Sequence, residues 1–573
     1  MGRMSDLNDL PRSHDVTDPT TCAWPAQEIA AAEAPVTAGT DRYMRAAAHA
    51  VARAALRELR QGTGTAGAAV APARPVPAPL TSMSPMGVAA TPASPLSPAT
   101  PLGGAGETAG TQTGPGWISG APVLLLVGGG HNGADTLLAG GLLAHSGCAV
   151  SAVLATEHPH PVALEEARGH GVTIHGAGYR SDDGTGQDSA EATAAIEAFL
   201  VHGGLVLDGL TGIGATGALR PDAAALIAPL IAAGEPGRRP LRVIAVDLPS
   251  GTGVDDGTVS GPVLAADHTV TFTCLKGCQC LPPARHLCGV VDVVPLGLPA
   301  PTSRPLARRP VDGALGDYLT RVVPEPGAND HKYTRGVVGL WAGSRAYPGA
   351  AVLAASAAVR CGAGMVRLSA PHRVEELVLA RRPEVVPAPG RCQALVIGPG
   401  TDPADVVRGA ELDAVLVRAL DDGDGPAPPA EPAVRRPLPA VIDAGALLLL
   451  GERLRGGARC TSAHVLTPHA GEAAALLTAL GRPTGRAEVE AAPAAYALDL
   501  ARLTGATVLL KGAPTLIAAP PAPAEPSAPA ELSAPAGPAA SAASAAPCLL
   551  SVDAGPGWLA TAGSGDVLAG ALG

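Results

Sequence analysis

Six residues with no polar side chain, Pro122 to Val127, run into Gly128-Gly129-Gly130, and helical spacing follows from about Gly133 to His145. An unbroken apolar run stopped by glycines is the pattern of a strand buried on both faces. Further strand patterns at 149–154, 204–207 and 241–246 alternate with helical patterns at 161–169, 189–200 and 222–232, and strands near 268–273 and 289–294 close the series. That alternation predicts βαβ units and a parallel sheet covered on both sides. The rhythm restarts at Gly336 with a strand over 336–341 and a helix over 349–361, followed by strands at 364–369, 394–397, 439–442 and 464–466. The predicted fold class is therefore α/β, with two three-layer α/β/α domains.

Other stretches break the rhythm. Residues 1–25 are expected to be a flexible tail, and Tyr43 to Leu59 an Ala-rich helix. Residues 61–116 are almost uncharged and rich in Pro, Ala, Gly, Ser and Thr, so they cannot bury enough side chain to offset their ordering entropy. They are expected to be a disordered insert. Two more Pro/Ala-rich stretches, 422–438 and 519–547, are expected to be surface loops, and Pro299 to Pro310 opens a linker. The domains are then 26–298 and 329–573, joined by 299–328. After Asp566 only seven residues remain, so the second domain is expected to be truncated at its C-terminal end, with its last helix starting at Asp566.

Composition narrows the classes. A chain of 573 residues should hold more than one domain. Its net charge of −11, with no arginine- and aromatic-rich stretch, excludes a general nucleic-acid binder. With four Trp, six Tyr and two Phe, the cores must be built from Ala, Val and Leu. Met1 to Asp18 has no apolar signal core and no long apolar run appears, which predicts a cytoplasmic protein with no membrane partner. Cys274, Cys278, Cys280 and Cys288 lack the paired C-x-x-C spacing of a zinc ribbon and are expected to be reduced, partly buried thiols. The sequence does not decide oligomeric state; a homo-oligomer is one outcome it allows.

In the first half, Gly128-Gly129-Gly130-His131-Asn132-Gly133 and Gly212-Ile213-Gly214-Ala215-Thr216-Gly217 both follow strands and satisfy G-x-G-x-x-G. Each is expected to bring backbone N–H groups onto phosphate oxygens at a helix start. Asp208, and Asp247 in Val246-Asp247-Leu248-Pro249-Ser250-Gly251, sit at strand ends, where parallel sheets bind ligands. Together with Gly130-His131-Asn132-Gly133-Ala134-Asp135, Asp208-Gly209-Leu210-Thr211-Gly212-Ile213-Gly214, Thr269-Val270-Thr271-Phe272 and Lys276, these runs resemble the NAD(P)H-hydrate epimerase domain, a Rossmann-like fold. The resemblance implies contacts to the hydrated dinucleotide from His131, Asn132, Gly133, Ala134 and Asp135. It implies further contacts from Gly212, Ile213, Gly214, Ala215, Thr216, Gly217 and Ala218, and from Asp247. It also implies potassium at Asn132, Asp208 and Ser250, and Asp247 as acid/base for epimerisation at C6. The family usually has Asn where this chain has His131, and Gly where it has Ala134, which adds a methyl group beside a loop expected to approach phosphate closely.

The second half contains Tyr347-Pro348-Gly349-Ala350, Gly398-Pro399-Gly400, Asp443-Ala444-Gly445, Thr467-Pro468-His469-Ala470-Gly471-Glu472, Leu510-Lys511-Gly512-Ala513-Pro514-Thr515 and Gly563-Ser564-Gly565-Asp566, in that order. No Walker A run is present, so a nucleotide must be held by something other than a P-loop. Small residues around Asp566, ahead of an apolar run, combine close backbone approach, an anion-attracting helix start and a proton acceptor. In order, the motifs resemble the ADP-dependent NAD(P)H-hydrate dehydratase domain of the ribokinase-like superfamily. The resemblance places Ala350, Gly400, His469 and Asp566 against the hydrated dinucleotide. It places Lys511, Gly512, Ala513, Pro514, Thr515 and Gly565 against ADP, which Mg²⁺ accompanies. The whole chain then resembles a bifunctional NAD(P)H-hydrate repair enzyme, with Asp566 as the catalytic base. The alternative is a ribokinase-like vitamin or sugar kinase with a degenerate N-terminal binding module.

Overall fold

A computed structural model describes residues 18–62, 118–176, 187–234, 241–310, 319, 323, 325–388, 390–402, 405–420, 437–521, 549–553, 555 and 557–573. Residues 1–17, most of the expected insert over 61–116, and most of the loops over 422–438 and 519–547 lie outside them.

The first half builds a seven-stranded parallel sheet. Its strands are β2 (Pro122–Val127), β3 (Ala149–Leu154), β4 (Thr173–His175), β5 (Gly204–Gly209), β6 (Leu241–Val246), β7 (His268–Phe272) and β9 (Val290–Val294), in the order β4-β3-β2-β5-β6-β7-β9. Strand β2 shows why the sheet needs two helical layers. Val123, Leu125 and Val127 pack in one core with the helices Arg42–Gly62 and Gly130–His145, and Leu124 and Leu126 pack in another with Gln187–His202 and Pro221–Ala233. A strand apolar on both faces is stable only between such layers.

The second sheet has eleven strands. Parallel β12 (Met365–Ser369), β11 (Val337–Trp341), β13 (Ala394–Ile397), β14 (Ala440–Ile442), β15 (His464–Leu466) and β16 (Thr507–Leu510) are followed by antiparallel β17 (Thr515–Ala518) and β18 (Leu549–Val552). The sheet then continues through β10 (Ala307–Arg308), β1 (Cys22–Trp24) and β8 (Leu275–Lys276), so strands from the first half complete a sheet begun in the second.

Two expectations change here. The tail over 1–25 ends in a strand: Cys22, Ala23 and Trp24 are fully buried, and the Trp24 indole N–H donates to the Ser303 carbonyl at 3.0 Å. The linker over 299–328 contributes β10, which pairs with both β1 and β18. Strands this short, standing outside the α/β alternation, leave no periodic pattern of their own, and their partners stabilise them.

The last helix begins at Ser564, not Asp566, and runs to Leu572 against the helix Pro348–Arg360. Gly570 permits that contact, because a β-carbon there would lie 2.1 Å from the Ala354 carbonyl oxygen. Cys274, Cys278, Cys280 and Cys288 are buried free thiols, and burial pushes those of Cys280 and Cys288 up to about 12. Among the described residues, no helix is long and apolar enough to cross a membrane.

Candidate functional site

The first candidate site lies beyond the C-terminal ends of β2, β5 and β6. After β2 the chain turns through Gly128 and Gly129, and the helix starts at Gly130. A β-carbon on Gly133 would come 2.0 Å from the Gly128 carbonyl oxygen, so this turn closes only around glycine. Asn132 is buried and donates from Nδ2 to the Thr211 carbonyl at 2.6 Å, which ties the first loop to the second. His131 is exposed at the helix start. The Ala134 methyl packs into the apolar core, so the extra carbon points away from the loop rather than toward a ligand.

The second glycine run differs from its expected geometry. Residues 212–218 form a loop, and the next helix begins at Pro221. Pro at the first helical position fixes that start and leaves Gly217 in a left-handed turn at φ 108° outside it. Any anion contact from Gly212 to Ala218 would therefore come from loop amides.

Asp208 is fully buried. Its Oδ1 accepts from the Ser250 hydroxyl at 2.7 Å and from the Leu210 N–H at 3.3 Å, while Oδ2 accepts from the Ser250 N–H at 2.9 Å. Burial raises its pKa, and the hydrogen bonds from Ser250 and Leu210 oppose that. Ser250 Oγ also accepts from the Thr211 N–H at 3.0 Å, and Thr211 Oγ1 is buried with no hydrogen-bond partner. Asn132, Asp208, Ser250 and Thr211 thus gather oxygens around one buried carboxylate. Oxygen donors of this kind suit a hard cation rather than a soft one. Among the described residues, no group of three or more His, Cys, Asp and Glu could hold a metal ion.

Asp247 follows β6 in the left-handed region, at φ 66°. Its Oδ1 accepts from Lys276 Nζ at 2.7 Å and from Thr271 Oγ1 at 3.0 Å. The almost fully buried Lys276 ammonium also donates to Thr271 Oγ1 at 2.8 Å and to the Phe272 carbonyl at 2.9 Å, so each of its three hydrogens has an acceptor. Facing this pair, Asp135 is buried with Oδ1 unpartnered. Burial, reinforced by the Asp247 charge, pushes its carboxyl well above the ordinary range. One carboxyl paired with an ammonium thus faces another whose charged form burial disfavours, an arrangement of the kind that acid/base chemistry uses. The sequence pointed to Asp247 and Asp135 separately and gave Lys276 no partner.

The second candidate site gathers at the ends of β14, β15 and β16. Lys511 Nζ donates to Asp443 Oδ1 at 2.9 Å and lies 3.3 Å from Glu472 Oε2. Burial pulls the ammonium pKa down, but Asp443 and Glu472 outweigh that and raise it. Thr467 Oγ1 donates to Asp443 Oδ1 at 2.8 Å. His469 caps the helix Ala470–Ala479: its Nδ1 accepts from the Glu472 N–H at 3.1 Å, and its own N–H donates to Glu472 Oε2 at 2.8 Å. A bridge between His469 and Lys511, with the Lys511 N–H donating to the Pro468 carbonyl at 2.8 Å, holds these two expected contacts side by side.

Asp566 occupies the first turn of the helix Ser564–Leu572. Burial first, and the Asp443 charge second, push its carboxyl up to about 6, while Lys511 draws it down. Gly565 lies beside Lys511, since a β-carbon there would be 3.5 Å from Nζ. Gly400 presses on Ala350, where its β-carbon would come 2.1 Å from the Ala350 methyl. Gly512 to Thr515 form the turn from β16 to β17; Thr515 Oγ1 donates to the Gly512 carbonyl at 3.0 Å, and the Ala513–Pro514 peptide is cis. Sequence reasoning quoted Asp443 and Glu472 within motifs but gave them no role. Their signal was a carboxylate after an apolar strand and another three residues beyond a Pro-His pair.

Residues 102–278 match the family described as YjeF-related protein N-terminus, and 338–528 match the NAD(P)H-hydrate dehydratase family. The bifunctional NAD(P)H-hydrate repair enzyme Nnr of Mycobacterium tuberculosis is 37% identical over 80% of this chain and 79% of its own length. An NAD(P)H-hydrate epimerase of Clavibacter michiganensis is 40% identical over 33% of this chain and 77% of its own. The ADP/ATP-dependent NAD(P)H-hydrate dehydratase of Bacillus subtilis, crystallised with ATP/Mg²⁺, is 26% identical, covering 43% of this chain and 74% of its own at a TM-score of 0.29. Two matched domains in this order, and 37% identity across most of both chains, show that this chain belongs to the bifunctional NAD(P)H-hydrate repair enzyme family.

Proposed function

We propose that this chain restores hydrated nicotinamide dinucleotides. Residues 26–298 interconvert the R and S forms of NAD(P)H hydrate, and residues 329–573 dehydrate the S form with ADP, releasing NAD(P)H, AMP and phosphate. The observation that carries this reading is Asp566, a half-buried carboxyl pushed up to about 6 on a helix's first turn, beside Lys511. A general base works best with a pKa near the working pH.

In the dehydratase half, Asp566 takes the proton of the C6 hydroxyl as that oxygen attacks the β-phosphorus of ADP and the bond to AMP breaks. Backbone N–H groups of Gly563 to Gly565 and the Lys511 ammonium stabilise charge on the phosphoryl group in flight. The phosphate ester then departs from C6 as loss of a proton from the neighbouring ring carbon restores the double bond. Ala350, Gly400 and His469 flank the dinucleotide, and Gly512, Ala513, Pro514 and Thr515 border the adenine nucleotide. Mg²⁺ bound with the phosphates would neutralise their charge, and Glu472 and Asp443 supply hard oxygen donors of the kind it takes.

In the epimerase half, the loops His131 to Asp135 and Gly212 to Ala218 hold the dinucleotide. C6 bears both the hydroxyl and the ring nitrogen, so protonation by Asp135 releases water and leaves an iminium. Water returning on the other face gives its proton to Asp247. Potassium at Asn132, Asp208 and Ser250 would fix the loop joining these elements. A soluble cytoplasmic setting suits a substrate drawn from the dinucleotide pool.

Incubating the protein with mixed hydrate epimers and ADP or ATP tests this reading, with recovery of NADH absorbance as the measurement. Recovery beyond the S fraction is expected. No recovery with either nucleotide, from protein with a cooperative melt, would end it.

A further inference from the structure

The helix Ala26–Thr37 lies outside the matched family region, yet it sends one side chain to the epimerase floor. Thr273 Oγ1 donates to Glu33 Oε1 at 2.6 Å. Thr273 opens the short turn from β7 to Lys276 and is held at φ 64°. A β-branched residue is strained there and persists only when its surroundings fix it. Its N–H donates to the Val294 carbonyl at 3.1 Å, and its hydroxyl is fixed by Glu33. Asp247, at φ 66° on the neighbouring strand end, is a second strained residue, and it accepts from the Lys276 ammonium. Lys276 therefore reaches Asp247 across two left-handed corners, and Glu33 restrains one of them.

We propose that Glu33 is a positioning residue for the epimerase reaction. It fixes the Thr273–Lys276 turn by accepting the Thr273 hydroxyl, and so sets where Lys276 holds Asp247. Lys276 and Asp247 both act electrostatically on Glu33, which places it within the field of the site, and Asp135, Cys274 and Cys278 feel the Asp247 charge as well. Burial raises the Glu33 pKa, and the Thr273 hydrogen bond and Lys276 oppose that. The role needs an acceptor oxygen, not a charge. The helix itself is seated on the first half: the Ala26 N–H donates to Asp255 Oδ1 at 2.8 Å, and β1 immediately precedes it.

The inference rests on the epimerase reading above. Glu33→Ala, Glu33→Gln and Thr273→Val are compared in the full chain for conversion of purified R-hydrate, with ADP-dependent turnover of S-hydrate as the internal control for folding. Glu33→Ala should lower kcat for R-hydrate about tenfold or more and leave KM within about twofold, because misplaced catalytic groups lose rate rather than binding. Glu33→Gln, whose amide oxygen still accepts, should restore most of that loss. Thr273→Val should match Glu33→Ala, and the double variant should lose no more than either single one. Unchanged kcat in Glu33→Ala, a change in KM alone, or equal losses in the Ala and Gln variants would each overturn the proposal. If the unsubstituted chain fails to convert R-hydrate, the epimerase reading fails instead. Should Glu33→Ala lose S-hydrate turnover as well, Thr273→Val decides: an unchanged kcat overturns the proposal, and a matching loss upholds it.

Discussion

Asp566 and Lys511 carry opposite electrostatic assignments within one site. The Asp566 carboxyl is pushed up to about 6 by burial and by Asp443, so dehydratase kcat should rise as pH climbs through about 6 and level off above it. Asp566→Asn should cut ADP-dependent NADH recovery by about 10³-fold or more while leaving R-to-S conversion intact. Stability should move the other way. A folded pKa of about 6 against the ordinary 3.8 means that the folded chain keeps a proton the unfolded chain has released. This contribution is fully present below the unfolded value and is lost as pH rises through the folded one. At neutral pH Asp566→Asn should therefore melt slightly higher, by up to about 1 kcal/mol once solvent screening of a half-exposed group is allowed for. Lys511→Met should have the reverse character. It strands Asp443, which is only 2% exposed, without its cation and should cost about 3–5 kcal/mol in denaturant titration. At this scale the sequence pointed to candidate residues, because an Asp after an apolar strand and a Lys-Gly-Ala-Pro-Thr run are local patterns. It could not show that Lys511 pairs with Asp443, 68 positions away, or Lys276 with Asp247, because a contact between distant residues leaves no local periodicity.

Elements within the α/β rhythm were legible, and the short strands outside it, β1, β8 and β10, were not. Strands β2, β3, β6, β13 and β15 fall where apolar runs predicted them, and the helices Pro161–Gly169 and Pro348–Arg360 lie within a residue of expectation. Their signal is periodicity over several residues, sharpened by Pro at the first helical position. The glycine run from Gly212 shows the limit, since it matched a helix-start motif yet stays a loop, and the helix begins at Pro221, one residue before the predicted 222. Close helix packing at Gly570 supplies a prediction at this scale. In Gly570→Ala the new methyl would meet the Ala354 carbonyl and push the helix Ser564–Leu572 outward. A loss of about 1–3 kcal/mol in thermal unfolding is expected, with dehydratase turnover falling further than epimerase turnover because Asp566 rides on that helix.

Across the whole molecule, the eleven-stranded sheet makes the halves interdependent. Strand β1 pairs with β8 of the first half and with β10, which in turn pairs with β18 of the second. Around it, Arg285 lies 3.2 Å from Asp553 across the halves, and the Ser551 hydroxyl donates to the Cys280 carbonyl at 2.5 Å. Ala23, fully buried in β1, is the test position. Ala23→Asp puts an unpaired charge in the shared sheet, and calorimetry should show the melting of both halves fall together. Independent transitions, with only one shifted, would show that β1 belongs to one half alone.

What the sequence alone determined is the α/β rhythm, the two-part layout and the ordered motifs of the repair family, since each is a local pattern repeated along the chain. Tertiary structure alone decided the rest. It turned an apparent tail and a linker into strands of a common sheet, placed Ala134 in the core, and joined Lys511 to Asp443 and Lys276 to Asp247. It also brought Glu33 to Thr273 across 240 positions of chain. The physical reason is common to all of these. Short strands and buried ion pairs are stabilised by partners distant in sequence, and their energies exist only once the chain has closed around them.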